Sequence, residues 1–218
     1  LTTKLTTLVI HIGSHKAGST AIQDYCHENG AVLNGKGIHY PTGVFAEFPR
    51  QHSALAHMIW RNELDGIRAA FERVVVDARD RNCDTVFMSG EDLCALNPAG
   101  ITTLAEICRE NFVNLKYILV LRRRDDFHLS QFKHNLAYGP PLTEYRYINE
   151  FKFSPRTVQQ AWRIRFSDQF FVIAYDDIKD DLMSKFFVTA QVLDGGQERR
   201  RDFSRLSGLV VRASMIFQ

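Results

Sequence analysis

The stretch His11–Thr20, HIGSHKAGST, places one lysine, three hydroxyl side chains and two glycines within ten residues. That combination is suited to holding a small anion. Leu8, Val9, Ile10 and Ile12 form a short, mostly β-branched apolar run that reads as a buried strand, and Ile22 and Gln23 continue as helix. Gly13 and Gly18 bracket the turn between them. The first backbone N–H groups of a helix have no intrahelical partner, and the helix dipole adds partial positive charge there. A phosphate or sulfate group would therefore be cradled by Ser14, His15, Lys16, Ala17, Gly18, Ser19 and Thr20. Their backbone amides, the Ser19 and Thr20 hydroxyls and the Lys16 ammonium would be the donors.

A second group of the same chemical type lies about a hundred residues later. Leu115–Leu121, LKYILVL, reads as another buried strand and runs into Arg122, Arg123 and Arg124 before DDFHLSQFKHNL continues as helix. Asp125 and Asp126 suit that helix's first turn through its dipole. A phosphate held by a guanidinium and a hydroxyl needs a strand-end arginine and a serine about two helical turns later; Arg122 and Ser130 supply that pair. Which of the three arginines turns inward stays open, and a charge run at a strand end also reads as a solvated cap.

The glycine spacing is similar to the nucleotide-binding P-loop, G-x-x-x-x-G-K-[ST], but Ser19 stands where that motif has lysine, and the loop's lysine is Lys16. This argues against ATP or GTP hydrolysis. A lysine before the second glycine, followed by Ser-Thr, resembles instead the 5′-phosphosulfate loop of sulfotransferases that use 3′-phosphoadenosine 5′-phosphosulfate (PAPS). His11-Ile12-Gly13 and Gln23 are most similar to the bacterial branch of that family. The second motif resembles the family's 3′-phosphate segment, with Arg122 and Ser130 at the matching spacing, although Arg124 stands where the cytosolic branch has proline. Phe170–Asp181, FFVIAYDDIKDD, is similar to a Tyr-acidic segment late in sulfotransferase sheets, with a structural role.

The resemblance runs from about Leu8 to Phe187 and implies a P-loop-like sulfotransferase with PAPS as co-substrate, no metal, and a carbohydrate, lipid or small-molecule acceptor. It implies Lys16 as the group that neutralises the leaving phosphate. Sulfuryl transfer also needs a base for the acceptor's proton. Glu91, just past the strand DTVFMSGED, suits that role or the capping of the turn into Leu93. His52 is the reserve candidate, or else an ordinary helix histidine. Two rivals remain: a P-loop-like nucleotide kinase, and a non-catalytic module that keeps the nucleotide site.

Composition sets the outer bounds. A chain of 218 residues, 45% hydrophobic, is expected to form one globular domain over 1–218. A net charge of +2 is too small for a general nucleic-acid binder. Cys26, Cys83, Cys94 and Cys108 show no C-x-x-C spacing, which favours reduced thiols and a cytoplasmic setting. No apolar run approaches the ~20 residues that span a bilayer, so no integral membrane segment is expected. The chain opens on Leu1, which leaves room for a preceding leader or anchor. His52 and His57 lie five apart and no H-E-x-x-H is present, so no metal site is expected.

Apolar periodicity places helices near 19–34, 63–81, 98–110, 125–137, 155–166 and 180–192, and strands near 6–12, 84–89, 115–121 and 170–175, with a short fifth at 37–40. Alternating strands and helices imply a three-layer α/β/α fold with a mostly parallel central sheet of 4–5 strands. Ligands of such sheets sit beyond the strands' carboxyl ends, where both anion motifs fall. The aromatic-rich segment 137–154, with its Gly-Pro-Pro break, is either a cover over an acceptor pocket or an ordinary surface connection. The run GGQERRR near 195–201 reads as a basic turn.

Overall fold

A computed structural model of the chain describes residues 5–14, 16–45, 50–138 and 154–189. Five strands form one sheet in the order β2-β3-β1-β4-β5, and every pairing is parallel. They are β1 (Leu5–His11), β2 (Ile38–His39), β3 (Thr85–Ser89), β4 (Phe112–Leu121) and β5 (Phe170–Ala174).

Alternation along β1 explains the layering. Leu8, Ile10 and Ile12 join one buried cluster with α3 (Ala54–Trp60), α4 (Leu64–Asp80), α5 (Pro98–Asn111) and α7 (Pro155–Phe166), in which Phe71, Val74 and Trp162 are fully buried. Val9 joins the opposite cluster, with α1 (Ser19–Glu28), α2 (Gly30–Asn34), α8 (Tyr175–Ile178) and α9 (Leu182–Thr189), built on Ile22, Tyr25, Phe186 and Phe187. Helices on both faces explain why the central strands read as continuous apolar runs rather than polar–apolar alternation. The remaining helix, α6 (Arg124–Tyr138), leaves the end of β4.

Several boundaries differ from those the periodicity gives. The helix expected over 19–34 is two helices, broken at Asn29, whose backbone N–H returns to the Tyr25 carbonyl as a cap. The helix expected over 180–192 is α9 preceded by a 3-10 turn, Lys179–Asp181, and residues 190–192 lie outside the described ones. Strand β4 begins at Phe112, directly after α5, three residues before the expected start. Helix α3 is not among the ranges that apolar periodicity places, because its seven residues carry only three buried positions, Leu55, Ala56 and Ile59. The segment 139–153, the core of the suggested cover, and the run 195–201 lie outside the described residues.

The strand order decides where a ligand can sit. β1 is the middle strand, with β3 on one side and β4 on the other, so the chain leaves its carboxyl end where the strand order departs in opposite directions across an all-parallel sheet. Crevices at such switch points are the binding sites of open parallel sheets.

Candidate functional site

Three strand ends converge at that crevice. β1 delivers the loop from Ile12 to Gly18, β3 delivers Ser89, Gly90 and Glu91, and β4 delivers Arg122. Gly13 has φ +79°, and a Cβ placed there would lie 2.5 Å from the Glu91 Cα. No side chain fits, so the absence of one is what lets the loop lie against the turn that carries Glu91. Gly18 has φ +83°, and a Cβ there would come within 3.0 Å of Tyr175 Cε2 and Leu182 Cδ2. Lys16 itself adopts a left-handed backbone, φ 62°, which is uncommon for a residue with a side chain.

The loop is closed from inside and braced from outside. The Ser19 hydroxyl donates to the Ser14 carbonyl at 3.3 Å, with both residues buried. Arg122 Nη1 donates to the Lys16 carbonyl at 3.3 Å, and its guanidinium lies 5.3 Å from the centre of the Tyr175 ring, within cation–π range. Ala17 is fully buried, so the loop is anchored on its core side while Lys16 stays half-exposed. Gly18 caps α1 without a side-chain bond, so the cap residue satisfies none of the helix's opening amides through a side chain.

The three arginines separate clearly. Arg122 turns to the loop; Arg123 pairs with Asp125 at 2.8 Å on the exposed surface; Arg124 reaches His128 at 3.4 Å, also exposed. Ser130 lies half-buried on α6, and Thr20 is exposed at the start of α1. His15 falls outside the described residues.

Glu91 opens a 3-10 turn, Glu91–Ala95, and is half-buried. Its backbone is fixed by the Gly13 contact, by Cys94 Sγ donating to its carbonyl at 3.1 Å, and by the preceding Gly90 N–H donating to the His11 carbonyl at 3.0 Å. Burial pushes the Cys94 thiol up to about 12, so it remains a donor.

Beneath the loop is a polar trio that the sequence reading did not assemble. Gln23 Nε2 donates to Ser89 Oγ at 3.1 Å, and Ser89 Oγ lies 2.9 Å from His11 Nδ1. Ser89 Oγ thus accepts from the Gln23 amide and shares a hydrogen bond with His11 Nδ1, while His11 Nε2 is buried without a hydrogen-bond partner among the described residues. Burial lowers the His11 pKa to about 4, so the imidazole is neutral. No single motif signals this trio; the register pairing of His11 with Ser89 creates it.

His52 is placed differently from a free base. Its Nδ1 accepts the Ser89 N–H at 3.1 Å, its Nε2 donates to the Pro41 carbonyl at 2.8 Å, and burial lowers its pKa to about 4. It is 1% exposed, so it ties the end of β3 to the Pro41 segment rather than meeting solvent. Among the described residues, no three His, Cys, Asp or Glu side chains gather in a metal-ligating group, and no helix is long and apolar enough to cross a membrane.

The fold and crevice define a parallel α/β protein with a glycine-bounded strand-to-helix loop at the end of its central strand. Two solved structures are similar to it. One is retinol dehydratase in complex with androsterone and the inactive cofactor PAP, at TM-score 0.46 and 14% identity over 93% of this chain and 64% of that one. The other is the sulfotransferase domain from the curacin biosynthetic pathway, at TM-score 0.42 and 12% identity over 82% of this chain and 70% of that one. The chain thus spans just under two thirds of the retinol dehydratase chain. No protein-family model and no curated protein matches the sequence.

Proposed function

We propose that residues 1–218 form a single sulfotransferase-like domain that moves a sulfuryl group from PAPS to a hydroxyl or amine acceptor, whether carbohydrate, lipid or small molecule. The observation that supports the reading is the 3.3 Å bond from Arg122 to the Lys16 carbonyl, which brings together residues 106 positions apart from the two motifs we assign to anion binding. A donor with two separate anionic groups needs two such sites side by side. Nucleoside triphosphates need instead a lysine after the second glycine, and that position is Ser19.

The residues present fit such a donor. The opening amides of α1 and the loop from Ser14 to Thr20 suit the 5′-phosphosulfate, and Arg122 with Ser130 suits the 3′-phosphate. The donor, when bound, supplies the sulfuryl group. As the acceptor oxygen or nitrogen bonds to sulfur, the bond from sulfur to the bridging phosphate oxygen breaks. Lys16 stabilises the charge left on that oxygen, and Glu91 takes the acceptor's proton.

Incubation with sulfur-labelled PAPS and pooled hydroxyl and amine acceptors tests the proposal. Label transfer that falls at least a hundredfold in Lys16→Ala, as expected for loss of about 3 kcal/mol of transition-state stabilisation, and falls comparably in Glu91→Gln, supports it. Turnover of ATP–magnesium in place of PAPS, or undiminished transfer by Lys16→Ala, overturns it.

A further inference from the structure

Resting on the sulfuryl-transfer reading, we propose that Trp60 is the floor of an acceptor subsite for a saccharide hydroxyl, next to Glu91. Trp60 ends α3 and is 50% exposed, although tryptophan carries more apolar surface than any other side chain. Its ring is nevertheless held in place. It stacks on the His57 imidazole at 5.3 Å between centroids and 22° between planes. His57 Nε2 in turn meets Asp92 Oδ2 at 3.1 Å.

Asp92 follows Glu91 in the 3-10 turn that packs on Gly13 of the anion loop. One imidazole therefore separates the indole from the turn that carries the suggested base. Half of the Trp60 surface is open to solvent, and the residue that follows it, Arg61, pairs through Nε with Glu63 Oε1 at 2.7 Å.

The chemistry of this surface selects the acceptor. A half-exposed indole braced by a histidine, with Arg61 and Glu63 following it in the chain, matches a pyranose ring, whose C–H face lies flat on indole while its hydroxyls bond to nearby polar groups. A phenol or sterol acceptor gains most from an enclosed apolar slot, which desolvates both faces of its ring. The platform is also pre-organised, because the stack and the Asp92 bond fix the indole before any ligand arrives.

The chain's two tryptophans make the idea measurable without a variant. Trp162 is fully buried in the core, so emission accessible to a neutral quencher such as acrylamide reports on Trp60. The full chain, with 3′,5′-adenosine bisphosphate present, is titrated with glucose-based and N-acetylglucosamine-based tetrasaccharides and with a simple phenol. The proposal expects a tetrasaccharide to shield the accessible emission while the phenol does not. It also expects KM for the saccharide to rise about tenfold in Trp60→Ala, roughly the 1–1.5 kcal/mol of one aromatic contact, and less in Trp60→Phe. The affinity for the bisphosphate stays unchanged in both variants. Bisphosphate binding with no saccharide shielding, or a saccharide KM that is equal in the wild type and Trp60→Ala, overturns the saccharide subsite alone. Failure of the wild type to bind the bisphosphate strikes the underlying sulfuryl-transfer reading instead.

Discussion

Replacing Gly13 by alanine tests whether the anion loop is clamped against the turn that carries Glu91. Three glycines with nearly the same backbone, Gly43 at φ +76°, Gly18 at +83° and Gly13 at +79°, separate the contributions. At Gly43 an added Cβ meets none of the described residues within 4 Å, so Gly43→Ala carries the left-handed strain, about 1 kcal/mol. At Gly18 the neighbours 3.0 Å away are the ends of Leu182 and Tyr175, which can shift, so the loss is about 1–2 kcal/mol. At Gly13 the neighbour is the Glu91 backbone at 2.5 Å, and relief requires moving the loop or the 3-10 turn. Strain and overpacking together then reach about 3 kcal/mol. For a chain of this size that lowers Tm by roughly 6–12 °C. Urea and thermal unfolding followed by circular dichroism give the order Gly43→Ala, Gly18→Ala, Gly13→Ala in increasing loss. Equal losses for Gly13→Ala and Gly43→Ala would refute the clamp.

Acid should destabilise the fold before the carboxylates titrate. His11 and His52 have folded values lowered to about 4 by burial, against 6.5 unfolded. The unfolded chain thus binds more protons between these values, so the stability from both groups is complete above pH 6.5 and is lost as pH falls toward 4. Each contributes about 3 kcal/mol at most; a urea midpoint that stays flat from pH 6.5 to 5 would contradict it. Asn97 Oδ1 accepts the Gly100 N–H at 2.8 Å ahead of Pro98, so Asn97→Ala should lose about 1 kcal/mol while Asn97→Asp retains most of it, read by urea unfolding.

Much of the sheet was legible because its central strands are buried on both faces and so appear as unbroken apolar runs, as in Leu8–Ile10 and Tyr117–Leu121. The strand–loop–helix junction between His11 and Ser19 was legible because glycine spacing and a strand-to-helix change occur together. What the sequence hid depends on register and contact. Nothing in the run Arg122–Arg124 distinguishes its members; the brace on Lys16 does, together with the Asp125 and His128 partners of the other two. Nor does RQHSALAHMIW reveal that both ring nitrogens of His52 are engaged by backbone, because Ser89 and Pro41 are far from it in sequence. Tyr175, read as part of a structural segment, contacts Gly18 and lies under Arg122, an arrangement set by the adjacency of β4 and β5.

The central claim is best tested by calorimetric titration of the chain with 3′,5′-adenosine bisphosphate and, separately, with ATP–magnesium. The account predicts selective binding of the bisphosphate, weakened about 10- to 100-fold in Arg122→Ala, the loss of a charge-assisted contact of about 1.5–3 kcal/mol, and little changed in Arg123→Ala. Preference for ATP–magnesium, or equal loss in the two arginine variants, would contradict it.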